Sequence, residues 1–583
     1  MPSTPDLIDK LGQMAAMLEL TGANRFKVNA YAKAARALKG ASIDVLAHAD
    51  DPKKLKEIEG IGSSIAENIG EYAESGTFGE FKELRAKVPS GLLQIMEIPG
   101  LGPKTVRLMW TDLKIETIVD LKKAIDDGSL EDLPRMGKKT IENIKDAIAF
   151  SEQSGGRTPI GKAMPLAEQI VETLGNVKGV TQIQYAGSLR RGAETIGDID
   201  ILVSAKDPAK VHTAFTEMEG VEKVLASGET KSSVRMKLGK RQIQVDLRSI
   251  DEHAFGAALM YFTGSKEHNV RLRERALKNG LTLNEYGLFP EDDEDTPPQQ
   301  RGIKPVASET EEKIYKALDL EWIAPELRED RGELKVKIPK LIELNDIKAE
   351  LHAHTTASDG RMSILELAQA AKDRGFHTIA VTDHSKSSVI ANGLDEDRLR
   401  KHIKAIREAA EQISGITILA GSEVDILVDG SLDYDDDLLA ELDVVVASPH
   451  ASLSQDPKKA TARLLRAIEH PLVHIIGHPT GRLIGKREGL APDINALAEA
   501  AAEHSVALEI NANWQRLDLR DIHVGAALKA GATIAIDCDV HAPTDYDHLR
   551  YGVLTGRRGG LTAESCVNAW SAAKLHKWLR SKR

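Results

Sequence analysis

Seven apolar, β-branched runs follow one another between residues 347 and 542: IKAELHAH, TIAVTDHS, ITILAGSEVDI, LDVVVASPH, LVHIIGHP, VALEINAN and TIAIDCDVHA. Helical segments such as SILELAQAAKDRG and DRLRKHIKAIREAAEQI stand between them. Near-continuous apolar runs belong to strands covered on both faces, as helices cover a parallel sheet. The alternation therefore predicts a seven-stranded parallel (β/α) barrel over residues 346–583. Such barrels carry their chemistry at the C-terminal strand ends, and each run here ends in polar residues, mostly of metal-ligand type.

Those ends, with the loop after the first run, supply His352, His354, Asp359, His384, Glu423, His450, His478, Asp539 and His541. A lone histidine is more often a satisfied structural residue than a ligand. Six of them gathered at barrel strand ends reverse that expectation. Mixed imidazole and carboxylate donors suit Zn2+, Mn2+ or Fe, and the set is large enough for about three ions with positions left for water and substrate. A bridging carboxylate such as Glu423 would hold two ions close enough to activate water between them.

The rest of the 583 residues is organised differently. Short amphipathic helices, such as NAYAKAARAL from Asn29 to Leu38, predict an all-α region from Pro5 to about Arg85. A glycine turn opening a helix recurs at Gly60-Ile61-Gly62, at Gly100-Leu101-Gly102 and at Met136-Gly137, where Arg135 stands in place of the first glycine. SEQSGGRTP, Ser151 to Pro159, marks the boundary to β-type segments; Glu291 to Gly302 suits an exposed loop, and 331–345 links to the barrel. No apolar run approaches the ~18 residues of a membrane span, and the N-terminus lacks the apolar stretch of a signal peptide, so a cytoplasmic location without membrane contact is expected. Cys538 and Cys566 form no metal pattern or disulfide framework and are expected as buried thiols.

A net charge of -12 would by itself disfavour a nucleic-acid partner. Helix N-termini nevertheless bind phosphate without basic side chains, and metal-binding carboxylates are acidic by necessity.

In YAGSLRRGAETIGDIDILVSA, Asp198 and Asp200 stand two apart in an apolar run, so a strand turns both carboxylates to one face. In RQIQVDLRS, Asp246 takes the polar face of an alternating strand and offers a third carboxylate. Such a trio suits two hard cations ~3.5–4 Å apart, one lowering the pKa of an attacking hydroxyl and one holding a triphosphate and its leaving group. A lone Asp-x-Asp is usually a solvated turn. Here Gly187-Ser188 precedes it as a phosphate-holding turn, with Arg190 and Arg191 offering charge-assisted bonds to the same anion.

Gly-Ser followed by Asp-x-Asp and a later Asp resembles the nucleotidyltransferase motif. Tyr261-Phe262-Thr263-Gly264-Ser265, then Asn269, Arg273 and GLTLNEYGLF, is similar to the family X DNA polymerases typified by DNA polymerase beta. That resemblance covers residues 1 to about 330. It implies helix-hairpin-helix N-terminal (1–85) and fingers (86–155) regions, an α+β palm (156–252) and a thumb (253–330). It also implies Mg2+ or Mn2+ on Asp198, Asp200 and Asp246, and a nucleotide site of Gly187, Ser188, Arg191, Gly197, Tyr261, Phe262, Gly264, Asn269 and Arg273. DNA phosphates would meet Gly60, Gly62, Gly100, Gly102 and Lys104. The HAH, TDH, SPH, GHP and DVH pieces resemble the PHP (polymerase and histidinol phosphatase) domain, with all nine ligand positions intact.

The two resemblances together imply a monomeric enzyme that fills gapped or nicked DNA from deoxynucleoside triphosphates during base excision repair. Its PHP domain would trim DNA ends by metal-dependent 3′-5′ exonuclease or related phosphoesterase chemistry. The competing expectations are a non-catalytic DNA-end scaffold and a small-molecule phosphatase attached to a polymerase-like module. Arg482, Lys486 and Arg487 in GRLIGKR read as a solvated loop before they read as DNA contacts. Lyase-active relatives carry a Schiff-base lysine in the helix after the first glycine turn, where this chain has Asn68, while Ser64 replaces another basic position. Lys27 and Lys33 remain nearby in sequence, and lyase activity is expected to be weak or absent.

Overall fold

A computed structural model describes residues 4–39, 45–58, 60–96, 98, 101–134, 136–138, 140–142, 144, 145, 148, 156–292, 294 and 296–582. Gly100, Arg135 and residues 151–155 of the expected boundary lie outside them. The chain divides into two compact units, 1–156 with 239–242, and 157–238 with 243–583.

The first unit is helical. Gly62 caps the Ser63–Ser75 helix in extended conformation, and Gly76 ends it with a left-handed φ of 72°. Gly102 caps Pro103–Leu113, whose Pro103 takes the first helical turn, where a missing N–H costs nothing. One apolar core, from Leu7 and Leu11 through Ile65, Ile69 and Tyr72 to Val106, Met109 and Ile148, runs through both helical regions.

In the second unit a five-stranded sheet has the order Val180–Tyr185, Asp198–Ala205, Arg241–Ser249, Lys231–Leu238, Val221–Ser227. Its first pair is antiparallel and its second parallel, which identifies an α+β layer. Helices Phe255–Thr263, Lys266–Lys278 and Glu311–Ala317 and a hairpin, Leu281–Asn284 with Gly287–Pro290, then enclose a smaller core of their own. Glu311 lies within this region, 4% exposed. Its two oxygens accept from both Arg190 (2.7 and 2.9 Å) and Arg328 (2.7 and 3.0 Å). Burial opposes the Glu311 charge, but the two guanidinium groups outweigh it and hold the carboxyl far below its ordinary value. The stabilisation is therefore present above the ordinary carboxylate value and lost as pH falls through the depressed one. Glu311→Ala leaves two arginines without their anion and should cost about 3–5 kcal/mol, read as a lower urea midpoint for this unit.

The last part is the expected barrel. Its seven strands, from Ala349–Glu350 to Thr533–Asp537, pair in sequence order and all in parallel. A parallel bridge between Ala353 and Val540 joins the last strand's end to the first. Several strands are short, two residues at Ala349–Glu350 and at Ile475–Ile476, so the polar ends begin almost at once. Cys538 and Cys566 are buried and free. Among the described residues no helix is long and apolar enough to cross a membrane.

Barrel and α+β layer share one apolar core. Leu517 and Tyr551 are buried in it beside Ile199, Ile201 and Val245, with Trp514 and Leu554 packed at its edge. Gly161 has no room for a Cβ because the Trp514 indole fills that space. Arg482 pairs with Glu194 at 2.8 Å, and Arg550 pairs with Glu168.

Candidate active sites

The parallel register sets Asp198 opposite Gln244 and Asp200 opposite Asp246, so the three carboxylates sit on adjoining strands as their spacing requires. Above them the Ala186 N–H donates to the Asp200 carbonyl at 2.8 Å, and the chain turns at Gly187 with φ 63°. A Cβ there would stand 2.6 Å from Asp200 Oδ2, so only glycine lets the Gly187-Ser188 turn rest on that carboxylate. Burial and the other two carboxylates push the Asp200 carboxyl up to about 7; burial and Asp246 also raise Asp198. Asp246 goes the other way: burial opposes ionisation, but Lys231, Ser233 and Gln244 outweigh it. Lys231 Nζ lies 2.6 Å from Asp246 Oδ2, and Gln244 donates to Oδ1 at 3.0 Å. This crowding of negative charge, met by one ammonium, fits divalent cations. Because a proton on Asp200 competes with a cation, the apparent Mg2+ requirement for catalysis here should rise about fivefold from pH 7 to pH 6 and flatten above about pH 8, measured by metal titration at each pH. A requirement that does not change with pH would contradict a metal role for Asp200.

Arg191 Nη1 donates to the Thr263 carbonyl at 2.5 Å and its Nε to Glu329 at 3.1 Å, so it spans from the glycine turn to the Thr263-Gly264 turn. The Tyr261 and Phe262 rings meet edge to face at 5.2 Å, and Arg248 lies 4.6 Å from the Phe262 ring centre. Asn269 donates to the Tyr261 carbonyl at 2.7 Å, Ser188 is partly buried, and Arg273 and Gly197 are exposed. Arg190 turns instead toward Glu311 and Thr263: its Nη1 donates to the Thr263 hydroxyl and to Glu311, and its Nη2 to Glu311.

All nine expected donors of the barrel converge. They form four overlapping groups whose ligand atoms lie within 4.8 Å: His354, Asp359, His384 and His541; His352, His354 and Asp539; His352, Glu423 and His478; His384, Glu423 and His450. Glu423 is the hub. Its oxygens lie 2.9 Å from His478, 3.2 Å from His450, 3.3 Å from His352, 2.8 Å from His384 and 3.7 Å from His354. Both Glu423 oxygens, His352 Nε2, both nitrogens of His354, His384 Nδ1 and Asp539 Oδ1 are nevertheless buried without hydrogen-bonding geometry. Buried polar atoms do not go unpaired in such number unless something else binds them. The donor set thus fits metal ions, and its imidazole content separates it from the all-carboxylate trio.

Electrostatics agree. Burial drives the His354 and His478 imidazoles down to about 4, which leaves them neutral and ready to ligate. Burial also works against charge on His450 and His541, yet Glu423 and Asp425 lift the first to about 10, and Asp359 and Asp539 the second to about 9. Cations entering here would displace those protons.

A ring of residues that the sequence reading missed orients the donors. His352 Nδ1 faces Glu509 at 2.6 Å and His450 Nδ1 faces Asp425 at 2.9 Å, turning each Nε2 inward, and Asn511 donates to Asp539 at 3.0 Å. Such partners fix ring orientation and raise ligand basicity. The available signal was position: Asp425 ends the strand that carries Glu423, and Glu509 and Asn511 lie on Ala507–Asn511, a strand that supplies none of the nine donors. Of the GRLIGKR cations, Arg482 is bound to Glu194 and the Leu517 carbonyl, and Arg487 donates to the Gly481 carbonyl at 2.9 Å.

In the helical unit, Gly62 and Gly102 are exposed where their helices begin, Lys104 is exposed, and Gly60 turns with φ 113°. First-turn amides of a helix have no intrahelical acceptor, so both turns present N–H groups outward. Asn68 is buried and donates to the Tyr31 hydroxyl at 2.7 Å, while Lys27 and Tyr31 both bond Glu80.

Known proteins share this layout. Residues 2–78 match the helix-hairpin-helix domain, 92–149 the SAM-like helix-hairpin-helix tandem, 157–253 the DNA polymerase beta palm, 258–329 the DNA polymerase beta thumb and 350–513 the PHP domain. A protein of Caldanaerobacter subterraneus subsp. tengcongensis named "Probable phosphatase" is 30% identical over 245 residues, 40% of this chain and 91% of its own length. The "DNA polymerase/3'-5' exonuclease PolX" of Bacillus subtilis (strain 168) is 37% identical over 577 residues, 99% of each chain. Matched over nearly its whole length, and with palm, thumb and PHP regions in the same order, this chain belongs to the family X DNA polymerases that carry a C-terminal PHP domain.

Proposed function

We propose that this chain fills short gaps in DNA during repair and trims 3′ ends with its PHP domain. It is a DNA-directed DNA polymerase with a 3′-5′ exonuclease, it uses DNA and deoxynucleoside triphosphates, and it depends on divalent metal ions. The observation that carries the two-activity reading is the presence of two intact, chemically different donor sets in one chain, Asp198, Asp200 and Asp246 on the palm and nine residues on the barrel. In the palm, Asp198, Asp200 and Asp246 would hold Mg2+ or Mn2+, which would supply a lowered pKa for the primer hydroxyl and charge to offset the triphosphate. The Gly187-Ser188 turn and Arg191 receive the phosphates, Gly197 and Gly264 let the chain approach, Tyr261 and Phe262 pack on the sugar, and Asn269 and Arg273 lie by the nascent pair. In the barrel, the donors around Glu423 would hold Mn2+, Zn2+ or Fe, about three ions, which would supply activated water for phosphodiester hydrolysis. Gly60, Gly62, Gly100, Gly102 and Lys104 grip DNA phosphates without reading sequence.

The preferred substrate is gapped or nicked DNA, acted on by a cytoplasmic monomer. The functional layout is 1–85, 86–155, 156–252, 253–330, a linker over 331–345, and 346–583. A labelled primer on gapped DNA, incubated with Mg2+ or Mn2+ with and without nucleotides, reads extension and shortening separately; no extension in any condition would sink the reading. The phosphatase relative covers only 40% of the chain, so a small-molecule phosphatase leaves the palm unexplained.

Removal of a 5′-deoxyribose phosphate needs an amine that forms a Schiff base. Asn68 offers an amide already bound to Tyr31, and the Lys27 ammonium is held by Glu80. Borohydride trapping on a 5′-deoxyribose phosphate substrate should yield little adduct in residues 1–85; an efficient, mapped adduct there would overturn this.

A further inference from the structure

The turn that receives the triphosphate rests on the PHP domain. Gly192, just after Arg191, has a left-handed φ of 64° and faces Leu554 of the Leu549–Arg558 helix, whose Cβ is 3.2 Å from where a Cβ on Gly192 would stand. At the end of that helix, Arg558 Nη1 donates to the Arg191 carbonyl at 2.7 Å and to Glu329 Oε1 at 2.8 Å. Its Nε and Nη2 meet Asp521 Oδ2 at 3.0 and 2.9 Å. Glu329 Oε1 is also the acceptor for Arg191 Nε, and Asp521 Oδ2 for Arg331 Nη2 at 2.9 Å. The cluster is largely buried: Arg558 is 10% exposed, Asp521 11%, Arg191 15% and Glu329 19%.

The charges in this chain of contacts do not cancel. Arg191, Arg331 and Arg558 face Glu329 and Asp521, so one cation is in surplus. A buried carboxylate must keep a cation, because leaving it unpaired is costly. With Arg558 in place, Glu329 retains a partner when Arg191 turns to phosphate. Without it, Arg191 is the cation that must stay. We propose that Arg558, a PHP-domain residue, is a positioning residue of the polymerase site: it satisfies Glu329 and braces the Arg191 carbonyl, freeing the Arg191 guanidinium for the triphosphate of the incoming nucleotide. The inference rests on Arg191 binding that triphosphate, and the test separates the two statements.

Single-nucleotide extension on gapped DNA by the full chain, over a range of nucleotide concentrations, is the measurement, with 3′-5′ exonuclease activity read on the same preparation. Arg558→Met should raise the nucleotide KM about tenfold, hold kcat within about threefold and leave the exonuclease unchanged. Adding Glu329→Gln to it removes the carboxylate that detains Arg191 and should return KM toward the wild-type value. An unchanged KM in Arg558→Met, a double variant no better than the single, or equal loss of both activities would each overturn the proposal. Arg191→Ala supplies the distinction: if it too leaves KM unchanged, the triphosphate role of Arg191 has failed; if it raises KM while Arg558→Met does not, only the link to Arg558 has.

Discussion

Asp246→Ala should stop primer extension while 3′-end shortening continues, and His384→Ala should do the reverse. Each loss should be on the order of 10³-fold or more, because each change removes a donor from the group that holds the charge-stabilising cations. Asp246 lies beside Asp200 across two parallel strands and shares no contact with the barrel cluster, whereas His384 stands in two of the four barrel groups and touches Glu423. Both side chains are buried, so neither substitution is conformationally silent, and an unaffected second activity is the control for folding. Loss of both activities in a variant that still unfolds cooperatively would contradict two independent sites.

Metal restoration should also split the activities. After chelation, Mg2+ should restore synthesis well and shortening at least tenfold less well, while Mn2+ restores both, because Mg2+ prefers oxygen donors and the barrel offers six imidazoles. Binding should release protons from the histidines raised to about 10 and about 9, so barrel affinity grows as pH rises toward those values. Binding to the folded form alone stabilises it, by about 4 kcal/mol per site at a thousandfold excess over Kd, so Mn2+ should raise the unfolding temperature of the stripped enzyme. Anomalous scattering that found only magnesium-compatible sites in the barrel would require a different ligand set.

The barrel was legible because parallel strands buried on both faces write themselves as unbroken apolar runs, and because their chemistry falls at one end. All nine donors could be picked out, since they lie at the C-terminal ends of the runs or in the loop after the first. The carboxylate trio was legible for the same local reason, two residues of spacing and one alternating strand. What stayed hidden spans distance. Nothing near Arg190 announces that Glu311, 121 residues later, will claim it, and Arg482 finds Glu194 across 288 residues. Nor does NWQRL, within the barrel sequence, announce that Trp514 and Leu517 complete the core beneath Asp198 and Asp200. Apolar periodicity says that a face is covered and not which remote segment covers it.

That borrowed core orders events in time. The palm strands are synthesised early, but Leu517, Tyr551 and Leu554, which finish their packing, come some 270 residues or more after Asp246, and Asp539 and His541 emerge among them. A nascent chain that has just passed its thumb has therefore neither a finished polymerase core nor a nuclease centre. Both mature over the same short stretch of synthesis, so a ribosome that stalls before it releases no half-enzyme able to degrade DNA ends without also being able to refill them.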